Sequence, residues 1–239
     1  MPGVRISGKY PTIDGSGHLV IPTDSSRNDN NNNQEEGPSS CCPFHTDHKV
    51  DRLKREQLAR EQGRPVYTLT REDESMREAL KLFQAVRDDY RTADYGESFN
   101  WDEIAAEYKK QLIKFSHLPP RELKTPEEPL EWFAVAFRSQ RRKDCDNVDL
   151  FDADKNAYEE AYYATNKSLL MYWYTDLDQD NNCLASCVWT DRDIARSVNT
   201  LPHHREAAQL SAGSYVHYTV DRCRIQWDPV NSTFKISSW

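Results

Sequence analysis

Beyond residue 65 the apolar positions of the chain fall into two distinct rhythms. Met76, Ala79, Leu80, Leu82, Phe83, Val86 and Tyr90 recur mostly at three- and four-residue steps, which predicts an amphipathic helix. A second helix is predicted to open at Asn100, with Glu103 three residues on as in a capping box. Its stripe is Trp101, Ile104, Ala105, Tyr108, Leu112 and Phe115, and Pro119 and Pro120 stop it. The two make a helical hairpin whose apolar face must cover another layer, since neither helix buries its stripe alone.

From residue 129 the rhythm changes. The run EWFAVAFRSQ (131–140) is apolar on both faces, as an interior strand is. Ala153, Ala157, Ala161 and Ala164 space out a helix that Asp149 or Asp152 can cap and that runs to about residue 166. LLMYWYT (169–175) is bulky and aromatic and reads as a strand; its continuation of the preceding helix is the competing reading. A polar turn (176–182) leads into CLASCVW (183–189), the second arm of a β-hairpin. Asp191 or Asp193 starts the next helix, interrupted at Pro202 and ended near Gly213. A long strand (214–227) and a short edge strand (233–239) close the chain. The order is β-α-β-β-α-β with a trailing strand, an α+β class of ferredoxin-like arrangement. One helix layer covers one face of strand 131–140, so the other face needs the helical hairpin or a second copy of the chain, and a homodimer is an expectation.

Composition changes the picture mainly at the N-terminus. Residues 1–48 include the run Asn28, Asn30, Asn31, Asn32, Asn33, Gln34, Glu35 and Glu36, which buries too little to offset ordering entropy, and the segment reads as disordered. Residues 49–62 are charge-rich with only Val50, Leu53 and Leu58 to bury, a solvated helix at best. The expected organisation is a tail (1–48), a helical region (49–128) and the α+β domain (129–239). A net charge of -8 argues against a nucleic-acid partner, which needs clustered positive charge. No apolar stretch approaches the ~20 residues that span a bilayer, so no membrane partner is expected. Residues 1–17 lack a secretory pattern, and Cys41, Cys42, Cys145, Cys183, Cys187 and Cys223 lack the spacing of a disulfide scaffold. The expectation is a cytoplasmic protein with reduced thiols.

The segments ESFNWDEI (97–104), EWFAVAFRS (131–139), YWYTDLDQDNNCLASCVW (172–189) and PHHREAAQL (202–210) resemble a family of uncharacterised fungal proteins, over roughly residues 65–227. More loosely, the topology and the spacing of Trp189, Ala195, Pro202 and His204 are similar to the dimeric α/β-barrel superfamily that includes the antibiotic-biosynthesis monooxygenases. That resemblance implies paired sheets, a small molecule held between sheet and helices, and a place in secondary-metabolite biosynthesis.

Several chemistries are excluded. Only Gly63, Gly96 and Gly213 lie beyond residue 37, so the ordered part has no glycine-rich phosphate loop, and no G-x-S-x-G elbow occurs. His204-x-Glu206 lacks the P-C-x-x-C of a zinc deaminase. Asp152-x-Asp154-x-Asn156 and Asp176, Asp178, Asp180 fail as calcium loops and read as polar turns. Cys41, Cys42, His45 and His48 have soft-ligand chemistry, but adjacent cysteines chelate one ion poorly, and no metal site is expected. Cys183 and Cys187 stand ~13 Å apart along a strand and read as small core residues.

His203 and His204 are the catalytic candidates. They follow Pro202 at a helix start, where the dipole favours the neutral imidazole that a general base requires. A partner for His204 is expected among Arg138, Tyr172 and Tyr218. His217, inside SYVHYTV, reads as a satisfied sheet histidine. Haem is the one cofactor considered, with His203, His204 or His217 as iron ligand; otherwise none is expected. Trp132, Ala134, Ala136 and Arg138 alternate onto one strand face, and Cys183, Ala185, Cys187 and Trp189 share another. Small residues beside tryptophans either admit close packing or leave a pocket, and Trp132, Arg138, Tyr172, Trp189 and Tyr218 are the ligand-binding candidates. The leading expectation is a small-molecule tailoring enzyme; the alternative is a non-catalytic scaffold presenting the helical hairpin.

Overall fold

The computed structural model describes residues 69–239 apart from 124, 126, 127, 145, 146 and 166, together with a short ladder in which β1 (Thr12–Ile13) pairs antiparallel with β2 (Leu19–Val20). The segment expected to be disordered (1–48), the helix expected at 49–62 and the group Cys41, Cys42, His45 and His48 otherwise lie outside the described residues. Met1–Lys49 and Val50–Trp239 are separate compact units, and the second holds the elements below.

The helical region is shorter and more broken than its periodicity predicts. α1 (Arg71–Ala79) is capped by Thr70, whose Oγ1 accepts from the Asp73 amide. It tightens into a 3-10 turn (Leu80–Leu82), and Phe83 turns extended at ψ 119. Val86, assigned to this helix from the sequence, is therefore outside it and 56% exposed, while Tyr90 reaches the core from a turn. A single-turn helix, α2 (Tyr95–Ser98), leads into α3 (Trp101–Lys114). Asn100 precedes α3 as expected but makes no capping bond; its amide instead donates to the Leu82 carbonyl and Glu103, and its Oδ1 accepts from the Gln84 amide. Tying two loops together is the competing use of the side chain.

The remaining elements are β3 (Glu131–Arg141), α4 (Asn147–Ala164), β4 (Leu169–Tyr174), β5 (Asn182–Trp189), α5 (Arg192–Ser197), a 3-10 turn (Val198–Thr200), α6 (Pro202–Ser214), β6 (Tyr215–Asp228) and β7 (Thr233–Ser238). The five strands β3 to β7 form one antiparallel sheet in the order β4-β5-β3-β6-β7. This is the ferredoxin-like β-α-β-β-α-β unit, with β7 added beyond β6. Leu169–Tyr174 is a strand, with a bulge between Leu169 and Met171, so the competing helical reading falls. Asp152, Asp154 and Asn156, read as a polar turn, lie within α4. The turn reading holds at Asp178, which accepts from the Asp180 and Asn182 amides.

Register places Phe133 opposite Trp189 and Ala134 opposite Val188. The Trp132–Ala134–Ala136–Arg138 row and the Cys183–Ala185–Cys187–Trp189 row are thus opposite faces of one sheet. The back face carries Trp132, Ala134, Ala136, Leu184, Val188 and Ile225, and α1 to α3 cover it with an aromatic layer. Phe83 stacks on Phe99 at 4.2 Å, Tyr108 meets Trp132 edge-on at 5.6 Å, and Tyr95 Oη bonds Ser186 Oγ at 2.7 Å. Ala134 and Ala136, both 0% exposed, let these rings approach the strand. A buried carboxylate fixes the hairpin: Asp73 Oδ1 accepts from Trp132 Nε1 at 2.9 Å and from Arg121 Nη1 at 3.3 Å. Arg121 also donates to the carbonyls of Glu131 and Thr190. Of the two covers the sequence allows for this face, the helical hairpin is the one present.

Candidate functional site

The front face is packed by α4 and α5, with Ala161, Ala195 and Val198 in its core, while α6 packs against α4, and α4 and α6 bury themselves very differently. α4 sends Leu150, Ala153, Ala157 and Ala161 into the sheet, all nearly inaccessible. α6 buries no residue fully; its inner stripe of Leu201, His204, Ala207 and Ser211 is only half-buried. A groove of about 280 Å³ runs between α4 and α6, lined by Ala153, Asn156, Leu210, Asp149, Asp152 and Glu206.

The front face carries a stack of rings. Tyr215 and Tyr218 lie 5.3 Å apart at 14°, and Tyr218 and Phe137 6.3 Å apart at 27°. Tyr218 remains 44% exposed, so the stack is an accessible aromatic platform. Deeper, under α4, Tyr172 Oη lies 2.6 Å from both carboxylate oxygens of Asp154. Burial raises the Asp154 pKa, against the lowering effects of the Tyr172 hydrogen bond and the Arg141 guanidinium. Burial likewise raises Tyr172, and the Asp154 charge adds to it. Arg141 lies over the Phe151 ring at 4.7 Å. Burial raises the Tyr218 pKa, and Tyr215, Cys187 and Asp154 add to it. Burial pushes the Cys187 thiol up to about 12 and also raises Cys183, which removes both as thiolate nucleophiles at neutral pH.

The predicted histidines sit at the first turn of α6. The Glu160 carboxylate of α4 accepts from the backbone amides of His203 and His204 at 3.0 and 3.2 Å and so caps α6 from outside. His204 Nδ1 lies 3.7 Å from Glu160 Oε2, and burial lowers its pKa against the pull of that carboxylate. The expected partner from Arg138, Tyr172 or Tyr218 is thus Glu160 instead. His203 is exposed and faces Glu206 at 3.3 Å. Asp154 and Glu160 are six residues apart on α4, so the two centres are separated by ~9 Å of helix.

Of the residues expected to bind ligand, Tyr172, Trp189 and Tyr218 share the front face. Trp132 and Arg138 do not join them. Trp132 is 1% exposed beneath α3, and Arg138 is held on the back face by Asp221 and the carbonyls of Tyr90 and Ala93. His217, read as a satisfied sheet histidine, is exposed on β6. His203 and His217 are exposed, and His204 turns toward Glu160. Asp154, Glu160, Arg141 and Phe137 escaped sequence reasoning. The signal for Asp154 was its place beside Ala153 and Ala157 on the inward stripe; nothing local marked Glu160. A second groove, of about 370 Å³, lies away from these groups, with Arg121, Thr190, Arg192 and Trp239 in its lining.

The sheet and its two crossover connections define an α+β protein of ferredoxin-like topology. A family model described as PB2B2.08-like matches residues 59–238, and the chain belongs to that family. No curated protein matches the sequence. Among solved structures, the cofactor-independent oxygenase SnoaB from Streptomyces nogalater is 14% identical at a TM-score of 0.32, covering 38% of this chain and 89% of that one. A dimeric ferredoxin-like protein from Bacteroides fragilis is 13% identical (TM-score 0.29; 38% and 93% covered), and one from Thermobifida fusca 10% identical (TM-score 0.32; 42% and 97% covered). At these levels no substrate or reaction passes from them to this chain. Among the described residues no helix is long and apolar enough to cross a membrane, and no cluster of metal ligands forms.

Proposed function

We propose that the chain binds a small planar, conjugated molecule between the front face and α6 and moves a proton on it, as an accessory or tailoring step in secondary-metabolite biosynthesis. The observation that carries this reading is the half-open aromatic platform on the same sheet face as the half-buried Tyr172–Asp154 pair. Flat π-systems stack on Tyr218 and Phe137 at little entropic cost. Asp154, its pKa raised by burial, exchanges a proton nearer neutrality than an exposed carboxylate does, and Tyr172 extends that proton path by one short hydrogen bond. His204, kept neutral by burial, is the second base within reach of the α6 opening. A scaffold that presents the helical hairpin draws no support from an apolar stripe already packed on the sheet. The test is a thermal-shift and fluorescence panel of hydroxylated aromatic compounds. Tyr218→Ala should abolish the shift, whereas Tyr172→Phe should keep binding and lose turnover. A folded protein that binds no member of the panel, or whose binding ignores Tyr218→Ala, overturns the reading.

A further inference from the structure

The larger groove, of about 370 Å³, lies where β3 begins and β5 ends, closed by the start of α5 and by Trp239 after β7. That is the size of a small-molecule pocket. Seven charged side chains line it, and four of them are already committed. Arg121 serves Asp73 and two carbonyls, and Glu131 Oε2 holds Arg224 Nε at 3.0 Å and Gln226 Nε2 at 3.1 Å. Asp191 caps α5 by accepting from the Asp193 and Ile194 amides, and Glu128 has a partner of its own. The side chains of Arg192, Glu122 and Asp193 remain, and none of them makes an ion pair among the described residues.

Two donors in this lining lack an acceptor. Arg192 is half-buried, its guanidinium 5.2 Å from the centre of the Trp239 ring and its Nε without a hydrogen bond. The indole is itself fixed, edge-on to Phe133 at 5.1 Å and against the Arg224 guanidinium at 4.5 Å, so Arg192 is held in place rather than trailing in solvent. Thr190 is 1% exposed. Its amide donates to the Ser168 carbonyl at 2.9 Å and its carbonyl accepts from Arg121, but its hydroxyl has no partner. A buried orphan hydroxyl costs free energy that a ligand oxygen recovers, and an unpaired guanidinium favours an anionic oxygen. Glu122 and Asp193, both exposed, add two unpaired anions to the same lining.

We propose that this groove binds a basic α-amino acid, its carboxylate on Arg192 and the Thr190 hydroxyl and its two cationic groups on Asp193 and Glu122. The unpaired set is one cation and two anions, and such a ligand is its complement. A simple anion meets two like charges, and a simple amine leaves the guanidinium and the hydroxyl unpaired. The site stands apart from the aromatic platform, so Tyr218→Ala leaves it intact. Isothermal titration calorimetry on the full chain should show saturable binding of L-lysine or L-ornithine at one site. Cadaverine, which lacks the carboxylate, and L-norleucine, which lacks the second cation, should bind more weakly. Arg192→Gln should weaken L-lysine binding by at least about tenfold and erase its preference over cadaverine. Thr190→Val should weaken it too while melting no lower than the parent, because the variant loses an orphaned hydroxyl rather than a bond. Absence of binding by both amino acids overturns the proposal, as does cadaverine binding as tight as that of L-lysine, or binding indifferent to Arg192→Gln. If Arg192→Gln lowers the melting temperature through the lost Trp239 contact, Thr190→Val decides, and an unchanged L-lysine affinity there sinks the assignment.

Discussion

Burial without full compensation is the mark of Asp154. Its carboxyl holds its proton in the folded state over a pH range where the unfolded chain, with a carboxyl near about 4, has already released it. The folded form binds the extra proton, so stability is highest below the unfolded value and falls as pH rises through the folded one. Urea titrations at several pH values should show this decline, and Asp154→Asn should flatten it. His204 has the opposite sign: its folded pKa is lowered, so its contribution improves as pH rises toward the ordinary imidazole value of about 6.5. Its Nδ1 has no hydrogen bond, and the two amides of its turn are capped by Glu160. His204→Ala should therefore cost less than about 1 kcal/mol at neutral pH, whereas Glu160→Ala should cost about 1–2 kcal/mol through the lost cap. If His204 serves the proposed chemistry, its alanine variant melts like the parent and loses product; product formed at the parent's rate would remove it from the mechanism.

Among the elements, the hairpin depends on one ion pair and two alanines. Arg121→Met removes a cationic partner of Asp73, which is 0% exposed, and should cost about 3 kcal/mol by chemical denaturation. Ala136→Leu forces a side chain into the ring layer above it and should cost about 1–3 kcal/mol. The strands, crossover helices and back-face stripe of α3 were all legible in the sequence, because alternation and three-to-four spacing survive wherever an element is packed on one side. The α1 periodicity misled beyond Leu82. Phe83 and Tyr90 do enter the core, but from turns, and burial alone does not distinguish a helix from a chain that doubles back. The candidate site was legible only in part. Tyr172 and Tyr218 stood out as aromatics on strands, but register decides which of them share a face with Trp132, and register is set by partners some 50 to 90 residues away in sequence. Glu160 acts across to another helix, an arrangement no local pattern announces.

For the whole molecule, the division into Met1–Lys49 and Val50–Trp239 predicts that a truncated chain beginning at Val50 keeps one cooperative thermal transition at the parent's midpoint. A fall in that midpoint by scanning calorimetry would show that the first unit contributes to the stability of the second. The central position of β3 bears on synthesis. This strand is apolar on both faces, yet its two neighbours, β5 and β6, lie far downstream, so on a ribosome it waits roughly 5–20 s for β6 to be made. Its back-face cover is already there, because α1 to α3 precede it in the chain. The order of the gene thus hands the nascent strand a shield before it hands it a partner. Moving residues 69–128 behind Trp239 on a long flexible linker preserves the contacts and reverses that order. Such a chain should refold normally from dilute denaturant and still aggregate more than the parent during expression.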